Sequence, residues 1–259
     1  MIDAYLKRGV LAGTVAGIGY GLFMAFVANP LSEYLHGLQH DGGHGHDHGH
    51  DGAHGHDHSH VDGGAHVVSE ATNAIVSVAS GLLWAIFLGG MFALSLYFLE
   101  PALPGGDTVR TYLLAGAGFL SVSVTPWLVL PPATPGAEQL YGIEPRLAIY
   151  SGLVVLGIGI SATAVVSYKR VAVRRHRLGL LAAAIPIVSA LIVIPLLTPT
   201  VVSHPGLPAD LVSAYQAMVV LSQAAVWALI AGTYNWQTRR ASVSSVTADG
   251  LTNTQSETT

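Results

Sequence analysis

The sequence predicts an all-α, polytopic integral membrane protein with about six transmembrane helices and both termini cytoplasmic. Three observations carry that expectation. The chain of 259 residues is 51% hydrophobic and only 10% charged, against about 25% charged in soluble domains. Its apolar residues gather into six runs of about twenty, the length that crosses a hydrocarbon core. Its basic residues then partition between the alternating loops. Lys7, Arg8, Arg110, Lys169, Arg170, Arg174, Arg175, Arg177, Arg239 and Arg240 fall on one side, and Arg146 alone on the other. Basic loops face the cytoplasm, so that side is assigned inward. Missing one span would scramble the partition, so it also supports the count of six.

The first run, Gly9 to Ala28, follows Lys7-Arg8 and has the look of a signal peptide. A cleavage site needs small residues at −3 and −1. Cutting after Ala28 or after Ala25 would put Phe26 or Phe23 at −3. The run is therefore read as a transmembrane helix. Gly9, Gly13, Gly17 and Gly21 recur at every fourth residue, which lines one helix face and invites close approach of a neighbouring backbone.

Five further spans are expected at Ala74–Leu99, Thr111–Leu130, Leu147–Tyr168, Leu178–Leu197 and Leu211–Trp236. Pro126 in the third, and Pro186 and Pro195 in the fifth, should kink or break their helices. Residues 1–237 thus form one membrane domain. The Ser/Thr-rich stretch 238–259 is expected to be a disordered cytoplasmic tail.

Residues 36–66, between the first two spans, read as a disordered extracytoplasmic insert. They hold eleven of the thirteen histidines: His36, His40, His44, His46, His48, His50, His54, His56, His58, His60 and His66. Gly, Asp and Ala separate most of them, with no Lys or Arg. So little apolar surface cannot offset the entropy of ordering a glycine-rich chain. Dense neutral imidazole beside carboxylate is instead ligand chemistry for a borderline divalent cation such as Co²⁺, Ni²⁺ or Zn²⁺. A plain solvated linker would use Lys or Glu.

At the flanks of the tract the spacing suggests an ordered receiving site. Glu33 and His36 stand at i, i+3, beyond Asn29-Pro30, if helical turns continue there. His66, Glu70 and Asn73 stand at i, i+4 and i+7 on entry to the second span. Carboxylate and imidazole on one helix face meet at such spacings. Asn29 and Asn73, with Glu138 in a later outer loop, are candidate vestibule groups. His204, in the last outer loop, is a further candidate ligand.

Composition also excludes function classes. There are no cysteines, which removes disulfides, thiolate metal sites and Cys-based catalysis. With only four methionines, Cu⁺ is a poor fit. No histidine lies inside a span to ligate haem, no nucleophile elbow appears, and the few basic residues do not mark a nucleic-acid surface. An enzyme is not expected.

The remaining outer loops make the chain recognisable. Pro131-Pro132-Ala133-Thr134-Pro135-Gly136 precedes one span. Pro205-Gly206-Leu207-Pro208-Ala209-Asp210-Leu211 precedes another, which carries Gln216, Gln223 and Trp227. With the glycine-rich first span and the Asn29–Glu33 exit, their order resembles the CbtA family of predicted cobalt transporter subunits, over nearly all of the membrane portion. The resemblance implies a membrane subunit for cobalt uptake associated with cobalamin supply. It also implies a small CbtB partner with one span and a histidine-bearing terminus. This chain departs from that pattern by carrying a histidine tract itself. The expected setting is the cytoplasmic membrane, with the lipid bilayer and a CbtB-like subunit as partners. A homo-oligomer is compatible with it. The divalent metal is substrate, cobalt first, with nickel or zinc as alternatives of the same layout. A membrane-anchored metal sensor or storage protein is the reading from another class.

Overall fold

The computed structural model describes residues 2–41, 65–135, 137–173, 175–198, 201–204 and 207–256. Within these, the side chains of residues 36, 38–41, 65–71, 73–74 and 242–256 are not described. The chain is an all-α membrane protein. About 86% of it is helical, and five helices are long and apolar enough to cross a membrane.

The first helical run comprises α1 (Ile2–Phe23), a π-helical turn (Met24–Ala28) and α2 (Asn29–Asp41). After the histidine tract comes α3 (Ala65–Leu99), closed by a 3₁₀ turn at Glu100–Ala102. A second compound run joins α4 (Asp107–Phe119), a π-helical turn (Leu120–Val124) and α5 (Thr125–Trp127). Strand β1 (Glu138–Gln139) lies in the loop before α6 (Ile143–Ala172). Then follow α7 (His176–Leu197), strand β2 (Val202–Ser203) and α8 (Ala209–Ser256).

α1 and α3 pack along the glycine stripe. Gly9, Gly13, Gly17 and Gly21 are all buried, together with Ala12 and Ala16. A Cβ on Gly17 would stand 2.9 Å from Leu82 Cα, and one on Gly13 would overlap the Ala85 carbonyl. Gly89 of α3 answers from the other side, where a Cβ would stand 2.8 Å from Gly13 Cα. Lipid is as apolar as leucine, so cohesion between helices must come from such close packing. α4 and α8 complete the core through Leu114, Ala115, Val226, Trp227, Ile230, Ala231 and Tyr234. Gly118 lies flush against the Trp227 ring and leaves no room for a side chain.

Prolines shape both compound runs. Pro126 cannot donate to the carbonyl four residues back and its ring crowds that position. The helix answers by widening. The Thr125 N–H reaches Leu120 O, five residues back, and Thr125 Oγ1 donates to the same oxygen at 2.8 Å. Val122 O, the carbonyl Pro126 leaves free, accepts instead from Tyr150 Oη of α6 at 3.0 Å. Asn29 likewise bonds back to Met24 O just before Pro30. α6 meets this widened turn closely, with Ser121 Oγ and Ser161 Oγ 3.3 Å apart and no room at Gly157 for a Cβ. α7 packs on α6, and none of its apolar window is buried.

The helix bounds differ from the expected ones at several places. The proline expected to kink or break the third span is preceded by a π turn and does not interrupt the run, which ends at Trp127 and not at Leu130. Asp107–Trp127 still spans 21 residues, about 31 Å at 1.5 Å per residue. α7 also continues through Pro186 and Pro195 to Leu197. The helix α2 reaches Asp41, past the expected start of disorder at His36, because no proline intervenes before the Gly42-Gly43 pair. α8 runs to Ser256 where composition predicts a disordered tail from Thr238. Extending a formed helix avoids the nucleation cost that an isolated Ser/Thr-rich segment would meet.

Candidate functional site

The helix ends sort into two sets. At one end Gln237 Nε2 of α8 donates to Arg8 O of α1 at 3.4 Å. Arg239 donates to Thr108 Oγ1 at 3.1 Å, and Lys169 to Ala102 O at 3.2 Å. The start of α1, the exit of α3, the start of α4, the end of α6 and the stretch of α8 around Gln237 and Arg239 therefore meet there, bringing Arg8, Arg110, Lys169 and Arg239 together. The opposite end carries α2, the start of α3 and the proline-glycine loops.

At that opposite end the two proline-glycine loops join as a ribbon. β1 and β2 pair antiparallel, Glu138 opposite Ser203 and Gln139 opposite Val202. The Leu140 N–H extends the pairing by donating to Val201 O at 3.1 Å. Ser203 Oγ donates to the Glu138 carboxylate at 3.5 Å, and Gln216 of α8 ties the first loop down through Pro132 O at 3.3 Å. An open cavity of about 430 Å³ is lined by residues 138–140 and 201–203. The next residue is His204, whose Nε2 is buried without a hydrogen-bond partner. Thr134 Oγ1 is unpartnered in the same way. A buried polar atom left without a partner costs free energy, and such groups call for a function or a missing ligand.

The structure thus joins the loops bearing Glu138 and His204, which the sequence had only named separately. Asn29 holds α2 to α3 by donating from Nδ2 to Ser77 Oγ at 3.2 Å. That bridge links the two helical runs that flank the tract. Glu33 is exposed on α2. His36 and His40 belong to α2, and His66, Glu70 and Asn73 to α3, with side chains outside the described residues. His44, His46, His48, His50, His54, His56, His58 and His60 lie outside the described residues altogether. Among the described residues no group of three His, Asp or Glu side chains is arranged to hold a metal ion.

The model of the family described as "Probable cobalt transporter subunit (CbtA)" matches residues 2–239. The chain belongs to the CbtA family. No curated protein and no solved structure matches it. Membership makes this CbtA chain a probable cobalt transporter subunit and a multi-pass membrane protein, with a metal ion as its cargo and the bilayer as its surroundings. Its family is described as one of transporter subunits.

Sequence reasoning missed two features of this CbtA chain. One is the polar seam of Ser121, Thr125, Tyr150 and Ser161 between α4–α5 and α6. Its signal was the cluster of hydroxyl residues around Pro126. The other is a charged cluster at the basic end, built from Tyr5, Glu100, Asp107 and Arg110. The signal there was two acidic residues, Glu100 and Asp107, flanking a short loop.

Proposed function

We propose that this CbtA chain moves a divalent transition metal, Co²⁺ ahead of Ni²⁺ or Zn²⁺, inward across the cytoplasmic membrane in the service of cobalamin supply. In this reading the chain crosses six times, Asp107–Trp127 being the third crossing. Both termini are cytoplasmic and the histidine tract is extracytoplasmic. The observation that carries the reading is the tract's position. Eight histidines fall in the sequence between α2 and α3 of a cobalt-transporter-family chain, with His36 and His40 in α2 and His66 in α3, and α2 and the start of α3 lie at the end of the bundle away from Arg8, Arg110, Lys169 and Arg239. Basic residues on the opposite end support that orientation.

The tract collects metal. Flexible imidazoles at this density exchange ions among themselves and raise the local concentration without fixing one path. Glu33, His36, His66 and Glu70, beside the Asn29–Ser77 bridge, receive the ion, with Asn29 and Asn73 at the vestibule. The ribbon with Glu138 and His204 is the second outer station. Its support is the orphaned His204 Nε2, which a metal or a metal-bound water would satisfy. The word "subunit" in the family description supports a partner. A CbtB-type single-span protein or a second copy of the chain would fill that part.

Accumulation of Co, Ni and Zn under limiting metal, in cells with and without this chain, tests the reading. Co²⁺ content should rise severalfold with the chain and exceed any gain in Ni²⁺ or Zn²⁺. Equal metal contents in the two strains would refute it.

A further inference from the structure

At the basic end, four helices enclose a small polar cavity of about 80 Å³. α1 supplies Tyr5 and Arg8, the turn after α3 supplies Glu100, α4 supplies Asp107 and Arg110, and α8 supplies Tyr234 and Asn235. Tyr5 Oη donates to Glu100 Oε2 at 2.6 Å. Arg110 Nη1 stands 3.5 Å from Glu100 Oε1 and 3.6 Å from Asp107 Oδ1. One guanidinium nitrogen thus lies between carboxylates from two different elements. Arg110 Nε is buried with no partner. Asn235 is 7% exposed, lines the cavity, and makes no side-chain hydrogen bond among the described residues.

We propose that Glu100 and Asp107 form an oxygen-donor site for a divalent cation at the inner end of the bundle, plugged by Arg110 as a tethered cation. The reasoning is one of donor chemistry. Two carboxylates, a phenol and an unengaged carboxamide facing one cavity are hard ligands, suited to a divalent ion that keeps part of its water shell. Arg110 occupies the charge position that such an ion would take, and Arg8 is a second cation on the cavity wall. The contact of Arg110 with Glu100 is long, both side chains being about 30% exposed, and its contact with Asp107 is to a carboxylate 77% exposed, so they hold it weakly. Its orphaned Nε gains hydration when the side chain swings out. A cation arriving from the bundle displaces the guanidinium, binds the carboxylates and leaves to the basic side. Arg110 then returns and repels re-entry. The role as a release valve rests on the transport reading above. The binding site does not.

Mn²⁺ separates this site from the histidine tract, because manganese prefers carboxylate oxygen to imidazole. The full chain, purified in detergent micelles, is titrated with Mn²⁺ alone, and free Mn²⁺ is read by electron paramagnetic resonance. Arg110→Gln should bind one more Mn²⁺ than the parent, or bind at least tenfold tighter. Adding Glu100→Gln should erase that gain. Arg110→Lys keeps the charge and the fold but loses the planar fork, and should show a smaller gain with the same dependence on Glu100. No gain in whichever arginine variants fold, or a gain that survives Glu100→Gln, would overturn the proposal and leave a structural ion pair. If the parent chain proves not to move Co²⁺, this readout still decides the site.

Discussion

At Val122 a single carbonyl shows how the membrane forces polar accounting. Pro126 deprives it of its helical donor, and hydrocarbon offers no water, so an unmet carbonyl would cost several kcal/mol. Tyr150 of the neighbouring helix supplies the missing O–H. Helix packing and local backbone chemistry are therefore coupled at this residue. Tyr150→Phe should destabilise the folded protein by about 1–3 kcal/mol, the cost of leaving a buried acceptor without its donor. In a Pro126→Ala background the backbone ladder can close again, so the same change should cost much less. Reversible unfolding of the four members of this cycle in mixed micelles measures the difference. Additive losses would show that the hydroxyl and the proline act independently.

Among the elements, α1 against α3 is the closest pairing, and its glycines leave no slack. Leucine at Gly13 and Gly17 would drive side chains into the α3 backbone. Overpacking costs about 1–3 kcal/mol per site even where neighbours can shift, and backbone shifts less readily than side chains. The double variant should yield little folded, monodisperse protein, while Gly116→Leu should be neutral because nothing lies near its Cβ. Equal yields of the two would show the stripe to be incidental. This stripe was legible in the sequence because a four-residue repeat of one residue type reports helical register directly. The choice of core helices was not. In lipid every face of a span is apolar, so periodicity does not separate α7, which packs only lightly, from α8, which contributes Trp227 and Ile230 to the core. The pairing of residues 138–139 with 202–203 was hidden for a different reason. Two-residue strands in proline-glycine loops carry no pattern, so Glu138 and His204 could be picked as polar loop groups but not placed beside one another.

Across the whole molecule, orientation governs every functional statement. The absence of cysteine makes it directly testable. Single cysteines replacing His50 or Pro135 should react with an impermeant thiol reagent in intact cells, and one replacing Arg174 should react only after lysis. Labelling of the Arg174 position in sealed cells would reverse the assignment. The central claim is a division of labour at the outer end, between a tract that gathers metal and a carboxylate-lined entry that admits it. Neutral imidazole is the ligand form and titrates near about 6.5, so acidification below that value should weaken capture and imitate loss of the tract. The most direct measurement is the initial rate of Co²⁺ uptake against Co²⁺ concentration, for the parent chain, a His40–His60 deletion and a Glu33→Gln, Glu70→Gln double variant. The deletion should raise the half-saturating concentration and leave the maximal rate nearly unchanged. The carboxylate variant should lower the maximal rate at every supply. Loss of uptake at saturating Co²⁺ on deleting the tract, or full uptake without the two carboxylates, would contradict the account.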